Sequence, residues 1–347
     1  MEYSGINAKI SAMRGKLLTN ADYGRLSKSD SVESVVRFLS EHPAYRKAMS
    51  DIFSVEIHRD IVEQKLLLSL SDDFRRIHRF ITEENIKNYM AAYFLSFELN
   101  VVKLLLCMVY DERDINYSVP ELNMLIGSQL KIDTAKLKAS KNPEEFIYNL
   151  KGAGFYTMLT DAFSSHSSLF EIEMQLDLYY YMNLWNQQNE ILDKKNRDIM
   201  AAISGEEIDL RNIMWVYRLK KYYNLNDARI YAYLIPISHR LEREQLMKMV
   251  KCQTLGELSE EISVSPYGQV FTDLNLLEKS YYNRMSKLYR EAAASQRESL
   301  AVTVSFVFFK ELELKNLTSL LEGVRYKLKP NDIMGYLYLT RKAGAQQ

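Results

Sequence analysis

Apolar residues recur along the first stretch, Tyr3 to Leu18, at Ile6, Ile10, Met13 and Leu17. Spacings of 4, 3 and 4 put them on one face of a helix. A longer run carries Val62, Leu66, Leu70, Phe74, Ile77 and Ile81 on one stripe, and assigns Asp72, Asp73, Arg75 and Arg76 to the opposite, solvated side. The design returns at Ile172, Leu176, Tyr180 and Leu184, and again at Leu274, Leu277, Tyr281, Met285 and Leu288. Helices with a single apolar stripe need a packing partner, so the pattern predicts long helices laid against one another. Ala301 to Phe309, AVTVSFVFF, has no polar face and predicts a buried helical segment, with strand as the lesser alternative because of its β-branched residues. It is the most membrane-like run in the sequence pattern, and it falls far short of the ~20 apolar residues that span a bilayer.

Between the long stripes the chain repeats itself. Leu26–Met49, Leu137–Leu159 and Met249–Phe271 can be laid over one another with Tyr45, Tyr156 and Tyr267 in register at equal intervals of 111 residues. Val36, Ile147 and Leu258 keep the same register. Each copy opens on a helix start, Ser31-Val32, Asn142-Pro143 and Gln253-Thr254, then runs an apolar stripe into a turn of small residues before the Tyr. A second element recurs around Asn7, Asn100, Asn212 and Asn316. Nine residues beyond these lie Lys16, Val109, Lys221 and Arg325. A long fixed period sets the architecture. The fold class is therefore all-α, three similar helical units in tandem. The expected boundaries are 1–98, 99–208 and 209–313, followed by a closing helix and tail, 314–347, that packs near the first unit. Closure into a ring and an open array with a helical cap give the same pattern. After Leu339 the tail TRKAGAQQ is polar and small, and fraying is expected there.

Composition agrees with long helices, since Gly 12 and Pro 6 are few in 347 residues. Lys+Arg 45 against Asp+Glu 45 leaves a formal net charge of zero and no overall basic field, so no nucleic-acid partner is expected. Cys107 and Cys252 stand far apart within apolar stretches, which excludes a disulfide framework and fits a reducing, cytoplasmic setting. Lys9 and Arg14 interrupt the amphipathic start, so no signal peptide is expected. His42, His58, His78, His166 and His239 show neither i, i+4 pairing nor a neighbouring Cys, and no metal is expected. Phosphate-loop, dinucleotide and nucleophile-elbow motifs are absent, so the sequence points to no cofactor and no catalytic residue. Glu260-Glu261 and Asp72-Asp73 are adjacent on their helices and do not face each other; a solvated face accounts for them. The tyrosine runs Tyr179-Tyr180-Tyr181 and Tyr222-Tyr223 suit helix packing better than base stacking. The candidate partner-interface residues are Lys16, Lys221 and Arg325, which sit towards helix ends; complementing the helix dipole there is the competing account.

Several stretches together resemble a known family. YSGINAKISAMRGKLL at the start, the LKASKNPEEFIYNL type of Tyr helix, EMQLDLYYYMNLWN, DARIYAYLIPISHRLEREQL and the ending ELKNLTSLLEGVRYKLKPNDIMGYL look like the C subunit of the A/V-type ATP synthases, the counterpart of the d subunit in vacuolar proton pumps. The likeness covers nearly the whole chain in order. It departs at Leu234-Ile235-Pro236-Ile237-Ser238, where family members often carry LIPGG, and at Val109, where the second unit lacks the cation. What the resemblance implies is an all-helical funnel with pseudo-three-fold symmetry and no enzymatic activity of its own. The implied role is that of a rotor component in the central stalk, coupling the proteolipid ring of the membrane sector to the D and F shaft subunits. The expected location is peripheral, on the cytoplasmic face, with no membrane span. A helical-repeat scaffold of another assembly is the alternative.

Overall fold

A computed structural model describes residues 3–54, 57, 59–111, 133–165, 167–223 and 225–338. Among them every regular element is helical. The chain begins with α1 (Tyr3–Arg14), α2 (Asn20–Leu26), α3 (Val32–Glu41) and the long α4 (Arg59–Phe80). It continues through α5 (Glu84–Tyr110), α6 (Thr134–Ala139), α7 (Pro143–Asn149), α8 (Tyr156–Ser164) and α9 (Leu169–Ile191). Then follow α10 (Lys194–Arg218), a π-helical turn over Leu219–Tyr223, α11 (Asp227–Tyr233), α12 (Arg243–Lys251), α13 (Leu255–Ser263) and α14 (Leu277–Ser295). The last helices are α15 (Ala301–Arg325) and α16 (Pro330–Tyr336). His58, His166 and the tail after Leu339 lie outside the described residues.

Two compact bodies are distinguished. One holds 3–82 with 289–338, and the other holds 83–111 with 133–288. In the first body α15 is the central helix and packs on α1, α3, α4 and α16. It is buried nearly all round from Ala301 to Lys310, as a segment without a polar face must be. The α4 stripe is buried from Val62 to Ile81. In the second body α5 lies along α9, α9 also meets α10 and α11, and α11, α12 and α13 pack in succession, the last two against α10. Ile172, Leu176, Tyr180 and Leu184 of α9 are buried as predicted.

Helix starts follow local chemistry. Ser31, Asn142 and Thr254 each accept a hydrogen bond from the backbone N–H three residues on, at 3.2, 2.8 and 3.1 Å. This satisfies one of the orphan donors of a helix N-terminus. Thr254, not Gln253, is the third cap, which shifts the repeat register by one residue. The buried rings are Tyr45, Phe155 and Tyr267, while Tyr156 opens α8 half-exposed. Met49, Leu159 and Phe271, each four residues beyond its ring, are all buried.

Other expectations need correction. α1 ends at Arg14, so Leu18 rather than Leu17 is the next buried residue. Tyr289 rather than Leu288 closes the α14 stripe, and Leu274 stands before that helix in a short 3-10 turn. Asp73 faces inward, with Oδ2 4.0 Å from the Nζ of buried Lys310. The longest apolar helix is α5, not Ala301–Phe309. It is long and apolar enough to cross a membrane, but 67% of its most apolar window is buried within the protein, as in the core helix of a globular body. Separately, α5, α10 and α15 run through positions 98/99, 208/209 and 313/314.

Candidate partner interface

The ends of the long helices are positioned by buried polar anchors that recur in both bodies. In α10, Asp209 is 1% exposed and accepts from the backbone N–H of His239, Arg240 and Leu241 at 3.2, 2.7 and 2.8 Å. The hydroxyl of Tyr267 donates to the same carboxylate at 2.8 Å. In α15, Glu313 accepts from the Leu18 N–H, the Tyr45 hydroxyl and the Lys310 ammonium. Each carboxylate stands three residues before its Asn, 209 before 212 and 313 before 316.

The asparagines act as clamps. Asn212 donates to Ile235 O at 3.0 Å and accepts from Ile235 N at 2.9 Å. Asn316 does the same to Tyr338, at 2.8 and 2.7 Å. Both side chains are buried, and an amide that satisfies a backbone N–H and C=O together fixes an extended segment as a strand neighbour would. The segments after α11 and α16 are thereby held to α10 and α15 respectively. The second copy differs: Asn100 is exposed and the buried ring, Phe155, has no hydroxyl to donate. Asn7 donates to Arg297 O at 2.5 Å.

These anchors are electrostatically tuned. Burial, and then the Glu313 charge, push the Tyr45 phenol well above its ordinary value, and burial followed by Asp209 does the same to Tyr267. Both phenols stay protonated and donate. Lys310, 1% exposed, places Nζ 2.9 Å from the Tyr45 hydroxyl and 4.0 Å from the ring centroid. Burial raises the Asp73 carboxyl against the opposing pull of Lys310 and Arg76.

Beyond the anchors the helices emerge at the surface. Lys221 and Arg325 are equivalent, each exposed and twelve residues past its buried carboxylate. Lys221 lies in the π-helical turn, bonds the Tyr217 hydroxyl at 2.7 Å and stands 5.2 Å over the Tyr222 ring. Arg325 ends α15, 5.7 Å over the ring of Tyr326, which is 66% exposed. Lys16 is exposed in the turn after α1. It is not brought to Arg325: Leu18, two residues past Lys16, is tied to Glu313, and the twelve residues from there to Arg325 rise about 18 Å along α15. Arg14, Arg218 and Arg325 occupy last helical turns, where a cation complements the dipole.

Sequence reasoning found these surface cations and missed the buried groups that set them in place. The signal was present, since an acidic residue precedes Asn212 and Asn316 by the same interval. Comparison with known proteins adds an independent line. A family described as ATP synthase (C/AC39) subunit matches residues 6–336. The chain is similar to the C subunit of the A-type ATP synthase of Methanosphaera stadtmanae, 25% identical with 91% of this chain and 82% of that one covered. It is also similar to the protein of the same name in Methanocaldococcus jannaschii, 23% identical over 96% and 86%, and in Thermococcus kodakarensis, 21% identical over 96% and 90%. The match runs from α1 to α16 and takes in both buried carboxylates and both clamping asparagines, so the chain belongs to the ATP synthase (C/AC39) subunit family.

Proposed function

We propose that this chain is a non-catalytic central-stalk subunit of a rotary ATPase, a stiff adapter that passes torque between a proteolipid ring in the membrane and the D and F shaft subunits. It works peripherally, on the cytoplasmic face. On this proposal the chain forms three helical units, near 1–98, 99–208 and 209–313, with 314–347 closing on the first; the long helices run through these boundaries. The observation that carries it is the recurrence of one anchoring device, a buried carboxylate and a clamping Asn, beneath exposed basic ends of α10 and α15 in a chain of this family. An adapter must transmit force without yielding, and helices pinned through buried, fully bonded groups are stiff. Its contacts belong on surfaces. A ring of identical subunits meets three non-identical units without matching symmetry, so docking is spread over many weak contacts instead of one anchor.

Lys16, Lys221 and Arg325 are proposed as part of that docking set, each worth roughly 0–1 kcal/mol as an exposed ion pair. The test reverses the three charges singly and together and measures how much of the protein stays with the detergent-solubilised membrane sector at low and raised salt. Small single losses, a larger triple loss and salt sensitivity are expected. Undiminished retention and coupling of the triple variant at every salt concentration would assign these residues to dipole capping alone.

A further inference from the structure

The second body holds a cavity of about 390 Å³ that the docking set does not use. One face of α9, through Phe170, Glu173 and Met174, meets the end of α10, through Trp215, with Tyr222 and Tyr223 of the π-helical turn. Phe170 and Tyr223, both lining it, stack on one another at 3.7 Å with 15° between their planes, a paired aromatic wall. The π turn re-aims the chain just past α10, a device that recurs at functional sites. Two cations also line the cavity, and both are neutralised: Lys103 is paired with Asp177, and Arg218 with Glu278 at 3.2 Å. Lys221 is not among the lining residues; its ammonium bonds the Tyr217 hydroxyl and stands 5.2 Å over the Tyr222 ring, which leaves Phe170, Tyr223 and Trp215 as the aromatic residues of the wall without a cation of their own among the described residues. The remaining charge is that of Glu173. Among the described residues its carboxylate has one polar partner, the Cys107 thiol at 3.4 Å, and no cation.

We propose that this cavity receives an arginine side chain presented by a partner protein. Aromatic faces carry negative quadrupole potential and attract a cation, the planar guanidinium best of the side-chain cations because it can also stack. A carboxylate beside them adds the fork-to-fork geometry that an ammonium cannot use. Lys103 is paired with Asp177 and Arg218 with Glu278, so among the lining residues Glu173 is the carboxylate left without a cation, and an arginine would complement it. The occupant comes from a protein, since Tyr222 and Tyr223 at the rim are 65% and 45% exposed, and aromatic area of that kind is covered by a protein surface and not by a small ion. The inference stands apart from the rotary role, because its first test needs only the isolated chain.

The probe is N-acetyl-arginine N-methylamide, titrated into the purified full chain while the Trp215 indole NMR signal is followed; Trp185, which does not line the cavity, is the internal control. Saturable shifts of Trp215 alone are expected, with the citrulline analogue, equal in shape but uncharged, on the order of tenfold weaker. Glu173→Gln and Tyr223→Ala should each weaken binding about fivefold or more with an unchanged circular dichroism spectrum. Equal binding of the citrulline analogue, wild-type binding by Glu173→Gln, or no saturable shift would overturn the site. In the assembled complex the pocket is filled, so the probe should no longer bind. Undiminished binding there would overturn the assignment to a partner's arginine.

Discussion

Lys310 shows how a charge can be carried inside a helical body. It is surrounded by Glu313, the Tyr45 hydroxyl and Asp73, with Arg76 on the outer side of Asp73 at 3.5 Å. Lys310→Met would remove the cation and leave two inward carboxylates facing each other's field, a loss of about 3–5 kcal/mol. Tyr45→Phe removes one donor from a carboxylate that keeps two others, so its cost should be about 1 kcal/mol. Urea denaturation of both variants checks the order, and a Tyr45→Phe loss equal to that of Lys310→Met would refute it. Asp73 adds a pH dependence of defined sign. Its folded carboxyl titrates above the unfolded value near 4, so between the two the native state holds a proton that the unfolded state has released. Its contribution is fully present below the unfolded value and is lost as pH rises through the folded one. Asp73→Asn should match wild type in the acid and gain on it as pH rises past the unfolded value and through the folded one. A variant that loses ground over that window would show that Lys310 makes the ionised form the favoured one.

Helix by helix, close approach does what side-chain size forbids elsewhere. A Cβ on Gly323 of α15 would lie 2.7 Å from Ile333 Cγ1 of α16, so Gly323→Ala must push α16 outward, at about 1–3 kcal/mol. Gly5 in α1 has nothing within 4 Å, and Gly5→Ala should stabilise by about 0.4–1 kcal/mol through the unfolded chain. Thermal melts of the pair separate packing from backbone entropy; a neutral Gly323→Ala would mean that α16 is not held where Asn316 places it. Helix existence was legible in the sequence because the apolar stripes of α4 and α9 and the all-apolar start of α15 are local signals. Register was less so. The equal spacing of Tyr45, Tyr156 and Tyr267 suggested one buried ring, yet the rings are 110 residues apart from Tyr45 to Phe155 and 112 from Phe155 to Tyr267. Which of two adjacent aromatics turns inward follows from the spacing between cap and ring in each copy, fourteen residues from Ser31 to Tyr45 but thirteen from Asn142 to Phe155 and from Thr254 to Tyr267. The candidate cations were legible as exposed helix-end residues. Glu313 and Asp209 were marked only by their fixed interval before an Asn, and Asp73 by nothing local, since an acidic residue on a helix looks solvated until a distant tyrosine or lysine is placed against it.

The first body is built from both ends of the chain, and this has a consequence for the whole molecule. Its central helix α15 contributes Phe306, Phe309, Leu312, Leu317, Leu320 and Leu321, all at most 5% exposed. At about 1.5–3 kcal/mol for each buried side chain, their burial rivals the ~5–15 kcal/mol that a domain has in total. α1, α3 and α4 pack on that helix, and both the Leu18 N–H and the Tyr45 hydroxyl end on its Glu313. A chain stopped after Ser295 keeps the sequence of α1–α4 and loses the surface they fold against. The second body loses none of its own anchors by this cut: Asp209 still meets Leu241 and Tyr267. Hydrogen exchange on the truncated chain should therefore find the Leu18 amide and those of α1–α4 open while the Leu241 amide stays protected. Adding a peptide spanning residues 297–338 should restore protection at Leu18, because the missing partner is supplied in trans. If α1–α4 stay protected without α15, the N-terminal helices fold on their own core, and the chain's two ends are not joined in one cooperative body.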